Sequence, residues 1–133
     1  MAITEKPPQR RFRTDREVDE MKYVMLIMNT EAAGKLTAEE YGAWSSEIMA
    51  WYEKNGATGA LADGGAQLQG PETAKTIRVG AVTDGPFMES KEVLGGYSVL
   101  ETETIDEAVE VAKSWPGVDR GLVTMELRPV VVF

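Results

Sequence analysis

The 133-residue sequence has no cysteine and no histidine. The first absence excludes a disulfide framework, a thiol nucleophile and thiolate-bound zinc or iron–sulfur centres. The second removes the commonest general base and the commonest transition-metal ligand. Basic residues are in the minority, 14 Lys and Arg against 22 Asp and Glu. Residues 1–21 carry five of each sign, leaving 9 basic and 17 acidic groups, so the net charge of −8 falls on residues 22–133. A surface this acidic repels phosphate backbones, and no nucleic-acid partner is expected. Long apolar runs are missing as well. Nothing approaches the roughly 20 residues of a spanning helix, and MAITEKPPQRRFRTDREVDE lacks the apolar core of a signal peptide. No membrane association is expected, the cytoplasm is the expected compartment, and no cofactor or metal is indicated.

The length suits one domain, able to bury about two-thirds of its unfolded surface without covalent staples. Residues 1–20 read as a flexible polar N-terminal arm. Pro7-Pro8 blocks a helix, and Arg10, Arg11, Arg13 and Arg16 are interleaved with acids. The alternative is an Arg-rich anchor for an acidic partner or a neighbouring subunit. Met21, where regular patterning begins, also resembles a natural start. Residues 21–133 read as the folded domain.

Tyr23–Met28 is an unbroken apolar run of strand length, the pattern of a strand covered on both faces. After a loop over 29–36, Thr37-Ala38-Glu39-Glu40 has the form of a capping box that opens a helix. Tyr41, Trp44, Ile48, Trp51, Tyr52 and Asn55 follow on one face, and Gly56 suits the helix stop. At that spacing the aromatics are core or dimer-packing residues before they are a stacking platform for an aromatic ligand. A short strand near Thr58–Leu61 and a turn at Asp63-Gly64-Gly65 come next; the latter lacks the spacing and Lys-Ser/Thr ending of a phosphate loop. Thr73–Val82 reads as a strand with Gly80 as a bulge or turn, and Val93–Glu101 as a strand whose Gly95-Gly96 implies a bulge or a close approach. Thr104-Ile105-Asp106-Glu107 is a second capping box, with Ile105, Ala108, Val109 and Ala112 as the stripe to be buried. Trp115-Pro116-Gly117 stops that helix. Val123–Arg128 is the last strand, and Pro129 is expected to interrupt pairing.

This order predicts an α+β, ferredoxin-like (βαββαβ-type) sandwich: an antiparallel sheet with helices on one face. Strands apolar on both sides need a second cover, which a symmetric partner supplies, so a homodimer, a dimeric α+β barrel, is expected. The acidic run Glu101, Glu103, Asp106, Glu107, Glu110 fits solvation and the dipole at a helix start better than a metal site.

Without His or Cys, chemistry falls to carboxylates, hydroxyls, Lys and Arg, concentrated in Thr83-Asp84-Gly85-Pro86-Phe87-Met88-Glu89-Ser90-Lys91-Glu92 and the following Leu94-Gly95-Gly96-Tyr97. Asp-Gly and Gly-Pro are ordinary turn residues, and Asp84 can simply cap its own loop. The block nevertheless resembles the signature of the DGPF branch of the YCII-related family. Met21–Ile27 is similar to that family's first strand, and Asp106-Glu107-Ala108 with Trp115-Pro116 to its second helix and stop. The resemblance implies a ferredoxin-like dimer with a pocket near the DGPF turn. It also implies a catalytic pairing of an Asp at this turn with a His from the first helix, and for some relatives lyase or dehalogenating chemistry on ring-derived compounds. Asp84 matches the Asp; the His has no counterpart, since Trp44, Ser45, Ser46 and Glu47 occupy that region. Members of the DGPF branch are often encoded beside extracytoplasmic-function sigma factors, so the resemblance further implies a regulatory or accessory role.

Two functions therefore stand at this level. One is a dimeric module that binds a small-molecule ligand or regulatory partner, with Glu89, Lys91, Gly95, Gly96 and Tyr97 as candidate ligand-binding residues. The other is a lyase, hydrolase or isomerase with Asp84 as general base, its pKa raised by burial.

Overall fold

The computed structural model describes residues 21–133; the polar arm read at residues 1–20 lies outside the described residues. Six strands and two helices follow the order β1 (Met21–Asn29), α1 (Ala38–Thr58), β2 (Leu61–Gln67), β3 (Lys75–Arg78), β4 (Ala81–Asp84), β5 (Val93–Thr102), α2 (Ile105–Lys113) and β6 (Val123–Pro129). The main sheet runs β2-β5-β1-β6, with every neighbouring pair antiparallel. β1 and β2 thus run parallel with β5 between them, and α1 makes the crossover that joins them. α2 joins β5 to β6 around β1 in the same way. The arrangement is α+β and consistent with the ferredoxin-like sandwich expected. β3 and β4 form a separate two-stranded hairpin inserted before β5.

Both capping boxes are present. Thr37 and Thr104 each accept an amide through the side chain, from Glu40 and Glu107, whose carboxylates accept the threonines' own amides in return. α1 runs past Gly56, the expected stop, to Thr58, and Gly59 at φ 86° supplies the left-handed terminus. The short strand expected near Thr58–Leu61 accordingly starts only at Leu61. The single strand expected over Thr73–Val82 is two, because Gly80 at φ 75° turns the chain back. Pro129 is accommodated rather than disruptive. β6 is an edge strand, Pro129 lies opposite Tyr23, and the Val130 amide still donates to the Lys22 carbonyl at 2.9 Å.

The alternation of β1 settles which face is core. Tyr23, Met25 and Ile27 are buried toward the helices, whereas Val24, Leu26 and Met28 on the other face are only half-buried. Trp44 and Trp51 of α1, Leu100 of β5, Ala108 and Ala112 of α2, and Trp115 complete the core. On α2, Ile105 and Val109 stay more than a third exposed, and Val111 packs inward instead. The three-and-four spacing of 108, 111 and 112 centres the stripe on two alanines, which lets a nine-residue helix lie close to the sheet. No helix among the described residues is long and apolar enough to cross a membrane.

The aromatic core is polar at its edges, and those edges lock it. The indole of Trp44 donates to the Pro116 carbonyl at 2.8 Å, and that of Trp51 to Ser114 Oγ at 2.9 Å, so α1 is tied twice to the turn after α2. Gly117 adopts φ +102°, and a Cβ there would lie 2.7 Å from Trp44 Nε1. Gly121 also has a positive φ, +71°, but nothing lies within 4 Å of its missing Cβ. Gly117→Ala should therefore lower stability by roughly 2–4 kcal/mol, combining backbone strain with a displaced indole hydrogen bond, against about 1 kcal/mol for Gly121→Ala. Urea denaturation of the two variants checks the difference.

Tyr23, 2% exposed on β1, has its phenol pushed above the ordinary value of 10.0, by burial first and by the charge of Glu107 second. A raised phenol pKa means that the unfolded chain releases this proton more readily than the folded one. Its contribution to stability is complete below pH 10.0 and is lost as the pH climbs from there toward the folded-state value. Denaturant midpoints measured from roughly pH 9 to 11 should fall more steeply for wild type than for Tyr23→Phe.

Candidate functional site

The main cavity of the described residues, about 800 Å³, opens between α1 and the adjoining face of the sheet. Its size lies within the range of small-molecule sites. Each part of its wall comes from a feature described above. The inward face of α1 contributes Tyr41, Trp44, Ser45, Ile48 and Tyr52; β1 contributes Ile27 and Asn29; β2 contributes Gly64, Gly65, Ala66 and Gln67; the start of β5 and the loop before it contribute Lys91, Val93, Gly95 and Gly96; Trp115 closes it from the turn after α2.

Two irregularities in the sheet shape this space. Between Ile27–Gly96 and Met28–Leu94 the β1–β5 register slips, leaving Gly95 as the bulged residue. A Cβ on Gly95 would come within 2.3 Å of Asn29 Nδ2, so glycine leaves room for the Asn29 amide to lie over the strand. A Cβ on Gly96 would meet the Ala66 carbonyl at 2.8 Å. Both expectations for Gly95-Gly96, a bulge and a close approach, are therefore met. The turn expected at Asp63-Gly64-Gly65 lies inside β2 as a second irregularity. Asp63 Oδ1 accepts the Gly65 amide at 2.8 Å, and Gly65 takes φ +70°, where a Cβ would overlap the Tyr97 carbonyl.

The aromatic rings stand edge to face in sequence: Tyr41 on Trp44 (centroids 5.9 Å apart), Trp44 on Trp115 (6.2 Å), Trp115 on Tyr52 (6.5 Å) and Tyr52 on Trp51 (5.0 Å). Trp44 and Trp115 are each 5% exposed, so these are core residues that also line the cavity. A hydrogen-bonded chain runs behind them. Trp115 Nε1 donates to Tyr52 Oη (3.3 Å), Tyr52 Oη lies 2.7 Å from Ser98 Oγ, and Ser98 donates to the Gly64 carbonyl (2.9 Å). A carbonyl only accepts, so the Ser98 proton is committed to Gly64 and Tyr52 must be the donor to Ser98. The chain has one direction. The Tyr52 hydroxyl is thereby committed to Ser98, which makes Tyr52 a positioning residue for the β2 irregularity.

The other polar groups lining the cavity divide cleanly. Thr30 Oγ1 is spent on the carbonyls of Gly121 and Leu122. The side chains of Asn29, Tyr41, Ser45, Gln67 and Lys91 make no hydrogen bond or ion pair with described residues, and Lys91 alone among the lining residues carries a formal charge.

The structure brings together Lys91, Gly95 and Gly96 of the residues singled out in the sequence; it leaves Asp84, Glu89 and Tyr97 outside the lining. Tyr97, 40% exposed, alternates with buried Gly96 and Ser98 and so faces away from the helices. Glu89 is exposed in the loop before β5. Asp84 ends the hairpin. Its carboxylate, 84% exposed, pairs with Lys75 directly across the two strands, and Gly85 then takes φ +95°. Phe87 of the same turn lies under the Arg78 guanidinium, 4.9 Å from the ring centroid. The turn thus closes the hairpin on itself, with the Asp84 carboxylate at the surface. Asn29, Ser45, Gln67 and Trp115 were not legible as lining residues, because they converge from four separate segments. The aromatic stripe of α1 was the one local signal.

Fold and site together define a small α+β protein with a helix-covered antiparallel sheet and a ligand-sized cleft between the two. The sequence model of the YCII-related domain matches residues 21–133, and the chain belongs to that family. It is also similar to an uncharacterized protein of Rhizobium meliloti (strain 1021), 27% identical over 128 residues that cover 85% of this chain and 94% of the other.

Proposed function

We propose that this YCII-related protein is a cytoplasmic module that binds a small molecule in the cleft between α1 and the sheet, and that ligand occupancy serves a regulatory or accessory role. The observation that carries the reading is the cleft itself: about 800 Å³ walled in part by aromatic rings, with uncommitted amide, hydroxyl and ammonium groups on one lining. Aromatic walls with a few oriented polar groups are what small-molecule sites require. The reading of Asp84 as a general base draws no support from its surroundings, since that carboxylate is exposed and held by Lys75. The neutral fluorophore N-phenyl-1-naphthylamine should bind wild type with enhanced emission. Ser45→Trp, which fills the cleft from a half-buried position on α1, should weaken that binding at least about tenfold. Asp84→Asn should leave it unchanged. Absence of binding to wild type, or equal binding by Ser45→Trp, would remove the ligand reading.

We also propose a homodimer formed through the sheet face opposite the helices. Val24, Leu26 and Met28 of β1 form its centre and Tyr97 and Val99 of β5 lie beside them, while both helices occupy the other side. Charge on this face includes the Arg128–Glu126 pair on the edge strand β6, whose two residues lie opposite Val24 and Leu26 of β1. An apolar patch with a charged rim is the usual anatomy of an interface. Sedimentation should give a dimer for wild type and a folded monomer for Leu26→Glu; a monomeric wild type would overturn the proposal.

A further inference from the structure

Resting on the cleft as the ligand site, we propose that its ligand is a monoanion: a molecule with an aromatic or otherwise apolar body and one carboxylate or sulfonate group, which Lys91 receives.

Charge within the cleft carries the argument. Although the chain has 22 acidic residues, none lines the cleft, and its one formal charge is the Lys91 ammonium. Lys75 and Lys113 are tied to Asp84 and Glu110, and Lys22, Lys35 and Lys54 lie outside the cleft lining. Lys91 has no such partner among the described residues, even though Glu89 and Glu92 are its near neighbours in sequence. A cation kept unpaired beside an apolar cavity, in a domain otherwise dominated by negative charge, forms the single favourable place for an anionic group on that lining. Asn29 and Gln67 add donors. Each has a carboxamide without a hydrogen-bond partner among the described residues, and Gly95 is the residue that makes room for the Asn29 amide. One ammonium with two amide donors matches the acceptor capacity of one carboxylate, whose two oxygens offer about four lone pairs. A dianion such as a phosphomonoester would find only one compensating charge. A cationic ligand would find no carboxylate at all and would meet Lys91.

The geometry separates the roles of the two ends of such a ligand. The rings of Tyr41, Trp44 and Trp115 line the cleft and offer apolar surface to the body of such a ligand. Lys91 is exposed and stands on a loop, so its ammonium remains hydrated until a ligand arrives, and the ion pair formed there is of moderate strength. Lys91 therefore acts mainly in choosing between charged and neutral ligands of one shape, and the aromatic walls act mainly in holding either.

A matched pair of probes tests this. N-phenyl-1-naphthylamine and 1-anilinonaphthalene-8-sulfonate share one ring skeleton and differ by a single sulfonate. Fluorescence titrations of both use wild type, Lys91→Met, Lys91→Arg and Ser45→Trp. The sulfonate should bind wild type more tightly than the neutral probe and lose roughly three- to tenfold in Lys91→Met, with the neutral probe unaffected. Lys91→Arg should retain the preference, and added salt should reduce it in wild type but not in Lys91→Met. Ser45→Trp should weaken both probes, which assigns the signal to the cleft rather than to the apolar sheet face. If Lys91→Met leaves the sulfonate affinity unchanged while Ser45→Trp abolishes both, the monoanion inference is overturned and the cleft reading survives. If Ser45→Trp affects neither probe, the cleft reading fails first.

Discussion

Three buried indole N–H groups need acceptors, and the places where they find them govern the rest of the molecule. Leaving any one unpaired in the core costs about 1–3 kcal/mol. Trp44 and Trp51 reach from α1 to Pro116 and Ser114, and Trp115 reaches back to Tyr52 on α1. The long helix and the turn after α2, some seventy residues apart in sequence, are thereby pinned to each other (their separations are 72, 63 and 63 positions). The cleft is the space left between that pinned pair and the sheet. Of its aromatic wall, Trp44, Tyr52 and Trp115 are each held by a side-chain hydrogen bond. Gly117 follows from the same constraint, since a side chain there would collide with the Trp44 indole.

The sheet answers this arrangement with two local departures from regular pairing. Where β5 meets β1, Gly95 bulges; where β2 meets β5, Gly64 and Gly65 fall out of register. Regular strands would carry side chains into the cleft at these points. Instead backbone lines it, and the Ser98–Gly64 hydrogen bond fixes the β2 irregularity from beneath. The directional chain from Trp115 through Tyr52 and Ser98 to Gly64 couples the aromatic core to this backbone, so a single network sets both walls. That economy explains how a domain without histidine or cysteine builds a defined site. Among the described residues the cleft is lined by aromatic rings, backbone and neutral polar side chains, with one ammonium at Lys91.

The DGPF turn carries the most distinctive local sequence in the chain, yet its structural work lies in closing the β3–β4 hairpin. Asp84 answers Lys75 across the strands, Gly85 supplies a positive φ, and Phe87 lies under Arg78. The more revealing part of that block is its downstream half, from Lys91 through Gly96. A motif read as one unit thus divides into a hairpin lock and a cleft lining. The division was invisible in the sequence because both halves are polar, Gly-rich and adjacent.

Much of the fold follows from local sequence. The two capping boxes, the aromatic stripe of α1, the apolar run of β1 and the strand–helix alternation are short-range patterns, and short-range sterics and hydrogen bonding act on them directly. Boundaries set by a single glycine were less legible. Gly56 and Gly59 are equally able to end a helix, and the choice between them depends on where the chain must go to reach β2. Composition alone also excluded thiol, imidazole and thiolate-metal chemistry, because an absent side chain cannot act. What only the tertiary structure decided was the company each residue keeps. Asp84 was left in solvent beside Lys75, Lys91 was left unpaired beside a cavity, and Asn29, Ser45, Gln67 and Trp115 were brought from distant segments to one surface. Those outcomes depend on strand register and on the packing of one helix against one turn, and neither is encoded in any stretch of sequence short enough to be read by its own pattern.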